Sequence, residues 1–172
     1  FVEWRQGRSE FAVWAIDLDL PDLVSLSAQY RHHLQHFLLA DYLRQPHITL
    51  QIAGFPCATA RLADDFPPQQ MQAQIARLRA IEQVPFVIEI LGVDSFSSAA
   101  YFTISDPSGG IARIRNALAC AGDDDFPYIP HVTFGLYRAA FPMLDVMCEL
   151  SAGPTFKPLQ LMINKVSLLT YQ

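Results

Sequence analysis

The sequence predicts an α+β fold built from a duplicated unit, on three observations. Strand-like and helix-like stretches alternate along the chain with short punctuation between them. The tetrad HITL at residues 47–50 returns as HVTF at residues 131–134, about half the chain later, each copy preceded by proline in QPHITL and IPHVTF. The 172 residues are 51 % hydrophobic and 17 % charged, enough to bury the core of one domain, residues 1–172, in two lobes. A duplicated unit that packs about a pseudo-two-fold axis sets the two matching strands side by side and brings their histidines to one cleft.

In chain order, FAVWAIDLDL (11–20) reads as a strand. After Pro21, the residues Leu23, Leu26, Tyr30, Leu34, Phe37 and Leu38 recur at helical spacing and predict an amphipathic helix reaching about Tyr42. HITLQIAGF follows as a strand and FPCATARLADDFPPQ as a long loop, before Met71, Ile75 and Leu78 mark a second helix. VPFVIEILGVDSF and AAYFTIS read as two strands joined by a tight turn near Ser97 and Ser98. SDPS at 105–108 carries helix-start chemistry for the stripe Ile111, Ile114 and Leu118, and Gly122 ends that helix. PHVTFGLYR is a strand, residues 142–150 a short helix, and LQLMINKVSLLTY one final strand.

The charge balance narrows the partners. A net charge of -5 with 12 Lys and Arg opposes a protein that holds long nucleic acid by neutralising many phosphates, while a short or terminal phosphate ligand fits. No apolar run approaches the ~20 residues that span a bilayer, and FVEWRQGRSE is no signal peptide, so a cytoplasmic monomer off the membrane is expected. Cys57, Cys120 and Cys148 are odd in number and without paired metal-ligand spacing, which argues against a disulfide framework or zinc knuckle.

Residues two apart in a strand face the same way. His47 with Thr49, and His131 with Thr133, therefore each present an imidazole and a hydroxyl to one side, while Ile48, Leu50, Val132 and Phe134 point into the core. Histidine exchanges protons near neutral pH, so a pair can supply one base and one acid. Hydroxyls donate to phosphoryl oxygens, and phosphoryl transfer asks a protein mainly for positioning, charge stabilisation and proton transfer to the leaving oxygen.

The doubled H-x-T-x pattern in these strand flanks resembles the 2H phosphoesterase superfamily, and within it the RNA 2',3'-cyclic phosphodiesterases or 2'-5' RNA ligase-like proteins. The resemblance covers nearly the whole chain. It implies two lobes whose antiparallel sheets line a central cleft with helices outside, and activity that needs neither metal nor cofactor. It maps the catalytic set onto His47, Thr49, His131 and Thr133, with His131 as base and His47 as acid, the reverse staying open. It also implies a nucleotide or a short RNA end with a cyclic phosphate as partner. Related activities on 2'-5' oligonucleotides or ADP-ribose cyclic phosphate, reverse 2'-5' ligation, and a silent nucleotide sensor are the alternatives. This chain departs from the family in being acidic, and in stopping soon after KVSLLTY, where relatives add a strand.

Plainer readings compete at several positions. Core histidines bonded to local backbone are the alternative for His47 and His131, and the repeat in matching context argues against it. His32 and His36 are spaced as half a metal site, but a solvated helix face explains them without a third ligand; His33 falls near the apolar stripe and reads as packing. Asp123, Asp124 and Asp125 lack a calcium-loop pattern and read as a solvated loop. SDPSGG lacks the lysine of a phosphate loop, and capping accounts for it. Tyr128 precedes the second tetrad and Tyr137 shares the parity of His131, so either ring can face a nucleobase or simply belong to the core. Arg44 and Arg138 flank the two strands as the nearest cations to a bound phosphate, although Arg44 also suits a helix end.

Overall fold

The computed structural model describes residues 2–42, 44–119 and 127–172. The elements are α1 (Val2–Arg5), β1 (Phe11–Asp17), α2 (Pro21–His33), β2 (His47–Pro56), β3 (Asp65–Phe66), α3 (Pro68–Ala80), β4 (Phe86–Ser95), β5 (Ala99–Ser105), α4 (Gly110–Leu118), β6 (His131–Leu136), α5 (Met143–Ser151), β7 (Leu159–Ile163) and β8 (Ser167–Tyr171). They form two four-stranded sheets, ordered β3-β2-β1-β8 and β6-β5-β4-β7, antiparallel except for the short β2–β3 pair. The α+β class and the two antiparallel-rich sheets agree with the sequence reading.

The duplication is visible in the connections. β1–α2–β2 and β5–α4–β6 are each a strand, a helix and an antiparallel return to the neighbouring position. Each helix crosses to the other half, α2 packing on β6 and α4 on β2, and the strands β2 and β6 touch. Both copies also carry a β-bulge at the same place. In β2 the register passes from Trp14↔Gln51 to Ala15↔Thr49, so Leu50 is the extra residue; in β6 it passes from Ala100↔Gly135 to Tyr101↔Thr133, so Phe134 is. Each is the residue after the threonine of its tetrad. A bulge bends its strand and re-aims the side chains beside it.

Apolar burial follows the strand period. Ile48, Leu50 and Val132 are 0 % exposed and Phe134 1 %, and all four join one core cluster running through both sheets. The opposite faces carry His47, Thr49, His131 and Thr133.

Four features differ from the sequence reading. The helix after Pro21 stops at His33 rather than near Tyr42. Leu34, Phe37 and Leu38 keep helical spacing, but the chain turns so that Leu38 bridges to Tyr137 and Leu39 N–H donates to Leu136 O at 2.8 Å. Gly135 permits this approach, because a Cβ there would lie 2.5 Å from a Leu38 methyl carbon. LQLMINKVSLLTY is two strands, β7 pairing with β4 in one sheet and β8 with β1 in the other. The long loop holds the two-residue β3, and the short α1 has no counterpart in the sequence reading. Gly122, Cys120 and residues 123–125 lie outside the described residues.

Two polar devices tie down the connections. Asp106 and Ser108 cap α4 as the sequence suggests, the Asp106 carboxylate accepting from Ile111 N–H at 2.7 Å and Ser108 Oγ from Gly110 N–H at 3.2 Å. The loop before α3 closes on Asp65, which accepts from the N–H groups of Arg61 (2.7 Å) and Leu62 (2.9 Å) and from the Arg8 guanidinium (2.8 Å). Those bonds, the two backbone ones first, hold its carboxyl down at about 2 against an ordinary 3.8. Because the folded value is the lower one, the stabilisation is full above about pH 4 and lost as the pH falls toward 2. Denaturant midpoints recorded from pH 5 to pH 2 are expected to fall less steeply in Asp65→Asn than in the wild type, and parallel curves would refute the assignment.

Candidate active site

The two tetrads use the same local device to aim their histidines. His47 Nδ1 lies 2.8 Å from Gln45 O, and His131 Nδ1 lies 2.7 Å from Ile129 O, in each case the carbonyl two residues back across a proline. A carbonyl only accepts, so both Nδ1 atoms carry hydrogen and each neutral ring keeps its lone pair on Nε2. Pro46 and Pro130 stiffen the approach to each strand, fixing φ where the carbonyl must point back at the ring. Across the sheets, His47 pairs with Asp17 and Thr49 with Ala15, while His131 pairs with Thr103 and Thr133 with Tyr101. The structure thus brings the four residues together on two touching strands, and His131 is close enough that its charge would oppose that of His47.

The surroundings of the two rings differ. His47 is 8 % exposed, and Tyr171 from β8 reaches it diagonally across the sheet, with its hydroxyl 3.3 Å from Nε2 and 3.4 Å from Nδ1. The Arg44 guanidinium lies 4.5 Å from the Tyr171 ring centre. Burial above all, then the cations of Arg44 and His131, hold the His47 imidazole below its ordinary range against the upward pulls of the Gln45 carbonyl and Asp17. Burial also pushes the Tyr171 hydroxyl up to about 12, so it keeps its proton. His131 is half-buried and meets the rings of Phe96 (centroids 4.9 Å apart) and Tyr101 (5.3 Å), which stack on each other at 4.2 Å.

The two halves are clamped around this pair. Arg115 on α4 donates to Leu50 O, at the bulge, and its guanidinium carbon lies 3.5 Å from the centre of the Tyr128 ring. The Tyr128 hydroxyl donates to Thr49 O at 2.9 Å. Tyr128 therefore braces β2 from the other half, one ring face covered by Arg115 and its hydroxyl committed to backbone. Its hydroxyl is pushed up to about 12 by burial.

Tyr137 and Arg138 follow β6 at the end opposite His131. The bulge at Phe134 also breaks the parity that relates Tyr137 to His131. Tyr137 shares a 2.6 Å hydrogen bond with Ser95 Oγ, and Arg138 donates from Nε to His36 O at 2.7 Å. Arg44 reaches the site through its contact with the Tyr171 ring. Among the described residues, no group of three or more His, Cys, Asp or Glu side chains is placed to hold a metal ion. His33 packs as expected, its Nε2 lying 2.8 Å from Glu149 O. The sequence reading overlooked Tyr171, Phe96, Tyr101 and Arg115. Each reaches the tetrads by a pairing or crossing distant in sequence, and no local pattern marks it.

The sequence pattern of the 2'-5' RNA ligase superfamily matches residues 21–172. The chain belongs to this family. Among solved structures, it resembles apo LigT of E. coli with a TM-score of 0.60 at 17 % identity, over 92 % of this chain and 85 % of that one. TT0787 of Thermus thermophilus gives a TM-score of 0.55 at 17 % identity, over 92 % and 86 % of the two chains. A structure described only as a phosphoesterase gives 0.54 at 17 % identity, again over 92 % and 86 %. At such identities the likeness establishes the two-lobed fold. Comparison with curated proteins gives no significant match. No described helix of this family member is long and apolar enough to cross a membrane.

Proposed function

We propose that this chain opens a 2',3'-cyclic phosphate on a nucleotide or short RNA end, one imidazole taking a proton from water while the other protonates the departing ribose oxygen. The observation that carries the reading is the paired Nδ1–H bond to the carbonyl two residues back, which leaves both Nε2 atoms as the proton-handling positions on adjacent strands. Thr49 and Thr133 share the faces of their histidines and would hold the phosphoryl oxygens, with Arg44 the nearest cation to the developing charge. Phe96, beside His131 and stacked on Tyr101, offers an aromatic edge to a base. Solved complexes of E. coli LigT with 3'-AMP, ATP, NADP+ and phosphate support a nucleotide-class ligand. Run backwards, the same acid and base would join ends through a 2'-5' linkage.

The test is a panel of cyclic mononucleotides, cyclic-phosphate RNA ends, 2'-5' oligonucleotides and ADP-ribose cyclic phosphate, assayed with and without chelator. Turnover of a 2',3'-cyclic phosphate with a bell-shaped, chelator-resistant kcat/KM profile is expected. Tight binding without turnover of any member would instead make the cleft a nucleotide sensor.

A further inference from the structure

We propose that Arg31 and Arg44 form a second anion subsite beside the histidine pair, one that takes a phosphate on the 5' oxygen of the nucleoside whose 2',3'-cyclic phosphate is opened. The proposal rests on the phosphodiester reading and narrows its substrate to a nucleotide or RNA end that carries this further phosphate.

Arg31 stands in the last turn of α2 and Arg44 just before β2, and both line a cavity of about 210 Å³ together with Asp19, Val24, Gln45 and Pro46. Neither guanidinium makes a hydrogen bond or an ion pair with another described residue. Arg8, Arg113 and Arg115, by contrast, are spent on Asp64 and Asp65, on Ser108 O and on Leu50 O. Burial raises the Tyr42 hydroxyl, and Arg44 and Arg31 both pull it back, so the two cations converge on one buried phenol. Asp19 is the single carboxylate on the lining, and nearby Asp17 already accepts from Asp19 N–H at 3.1 Å and from Gln45 Nε2 at 3.3 Å. Two like charges held at one small cavity repel each other. An anion between them removes that cost and takes the forked donors of each guanidinium.

The cavity adjoins the histidines. The Arg44 guanidinium carbon lies 4.5 Å from the Tyr171 ring centre, and the Tyr171 hydroxyl lies 3.3 Å from His47 Nε2, so one phenol separates this cation from the imidazole. Gln45 lines the cavity and gives its carbonyl to His47 Nδ1 at 2.8 Å. The ribose of a nucleoside 2',3'-cyclic phosphate has one further oxygen that can carry a phosphate, the 5' oxygen, and a single nucleoside is long enough to set its two phosphates on either side of that phenol. Two arginines serve one phosphate and not a long strand, in keeping with the net charge of -5.

Three substrates separate the subsite from the chemistry: a nucleoside 2',3'-cyclic phosphate with a free 5' hydroxyl, the same compound with a 5' phosphate, and a dinucleotide ending in the cyclic phosphate. In the wild type, KM is expected to be at least about 10-fold lower when the 5' oxygen carries phosphate. Arg31→Gln is expected to bring that ratio within about 3-fold of unity, while kcat/KM on the free 5' hydroxyl compound stays within about 2-fold of the wild type. A preference lost in Arg31→Gln supports the subsite, and the substrate that shows it, monoester or dinucleotide, names a free nucleotide or an RNA end as the source. Equal KM for all three substrates, or a preference that survives Arg31→Gln, would overturn it. A second readout needs neither turnover nor a variant. The Nε–H resonances of Arg31 and Arg44 in the intact protein are expected to move with adenosine 3',5'-bisphosphate and much less with adenosine 3'-monophosphate; an Arg31 resonance unmoved at saturation would equally overturn the subsite. If no cyclic phosphate is turned over while Arg31 responds to the 5' phosphate, the hydrolase reading fails and the subsite stands. Turnover with no response of Arg31 does the reverse.

Discussion

Replacing either His47 or His131 by alanine is expected to lower kcat on a 2',3'-cyclic phosphate by at least about 100-fold, the range a positioned acid or base contributes. Substrate affinity should change far less, since truncating an imidazole leaves the threonine hydroxyls and Arg44 in place. The double variant should be hardly slower than the poorer single one, because groups that act in one proton relay are strongly non-additive. Thr49→Val and Thr133→Val should be milder and should raise KM as well, each removing a hydrogen bond worth ~0.5–1.5 kcal/mol. Steady-state kinetics on variants shown to be folded by circular dichroism decide the matter. Multiplying losses in the double variant would mean that the two rings act independently, and the paired mechanism would fall.

Phe134→Ala should produce the largest loss of stability, about 3–5 kcal/mol from a total that for most domains is about 5–15 kcal/mol. Phe134 is 1 % exposed and packs against Phe102, with centroids 4.7 Å apart, and Tyr30 at 5.2 Å. It is also the extra residue of the β6 bulge, next to Thr133, so collapse around the cavity would disturb the strand that carries His131. Urea unfolding should show a lower midpoint at unchanged slope. A midpoint within the range of ordinary surface substitutions would mean that the bulge, rather than the ring, holds this strand.

The sequence by itself determined which residues are the candidates for the chemistry. A strand turns its side chains over every second residue whatever it pairs with, so HITL and HVTF sort into an imidazole–hydroxyl face and an apolar face without reference to the rest of the chain, and Ile48, Leu50, Val132 and Phe134 are buried accordingly. The repetition of that tetrad after proline is equally local, and it led to the family.

Only the tertiary structure decided what stands around the two histidines. Leu34, Phe37 and Leu38 continue a helical stripe, but apolar spacing records that a residue is to be buried and not what buries it, and Leu38 finds its cover on Gly135 and Tyr137 instead of in another helical turn. LQLMINKVSLLTY reads as one strand because its two halves differ only in partner, and hydrogen-bonded partners such as Ile88 and Trp14 lie far away in sequence. The paired bulges at Leu50 and Phe134 arise from register between strands, to which the period of a single strand is blind. The same blindness hid Tyr171 and the bulge that breaks the parity of Tyr137 with His131. The inequality of the two histidines has this origin too: identical tetrads make identical local bonds, and burial and neighbouring charge, fixed by how the sheets and their edges assemble, make one ring unlike the other.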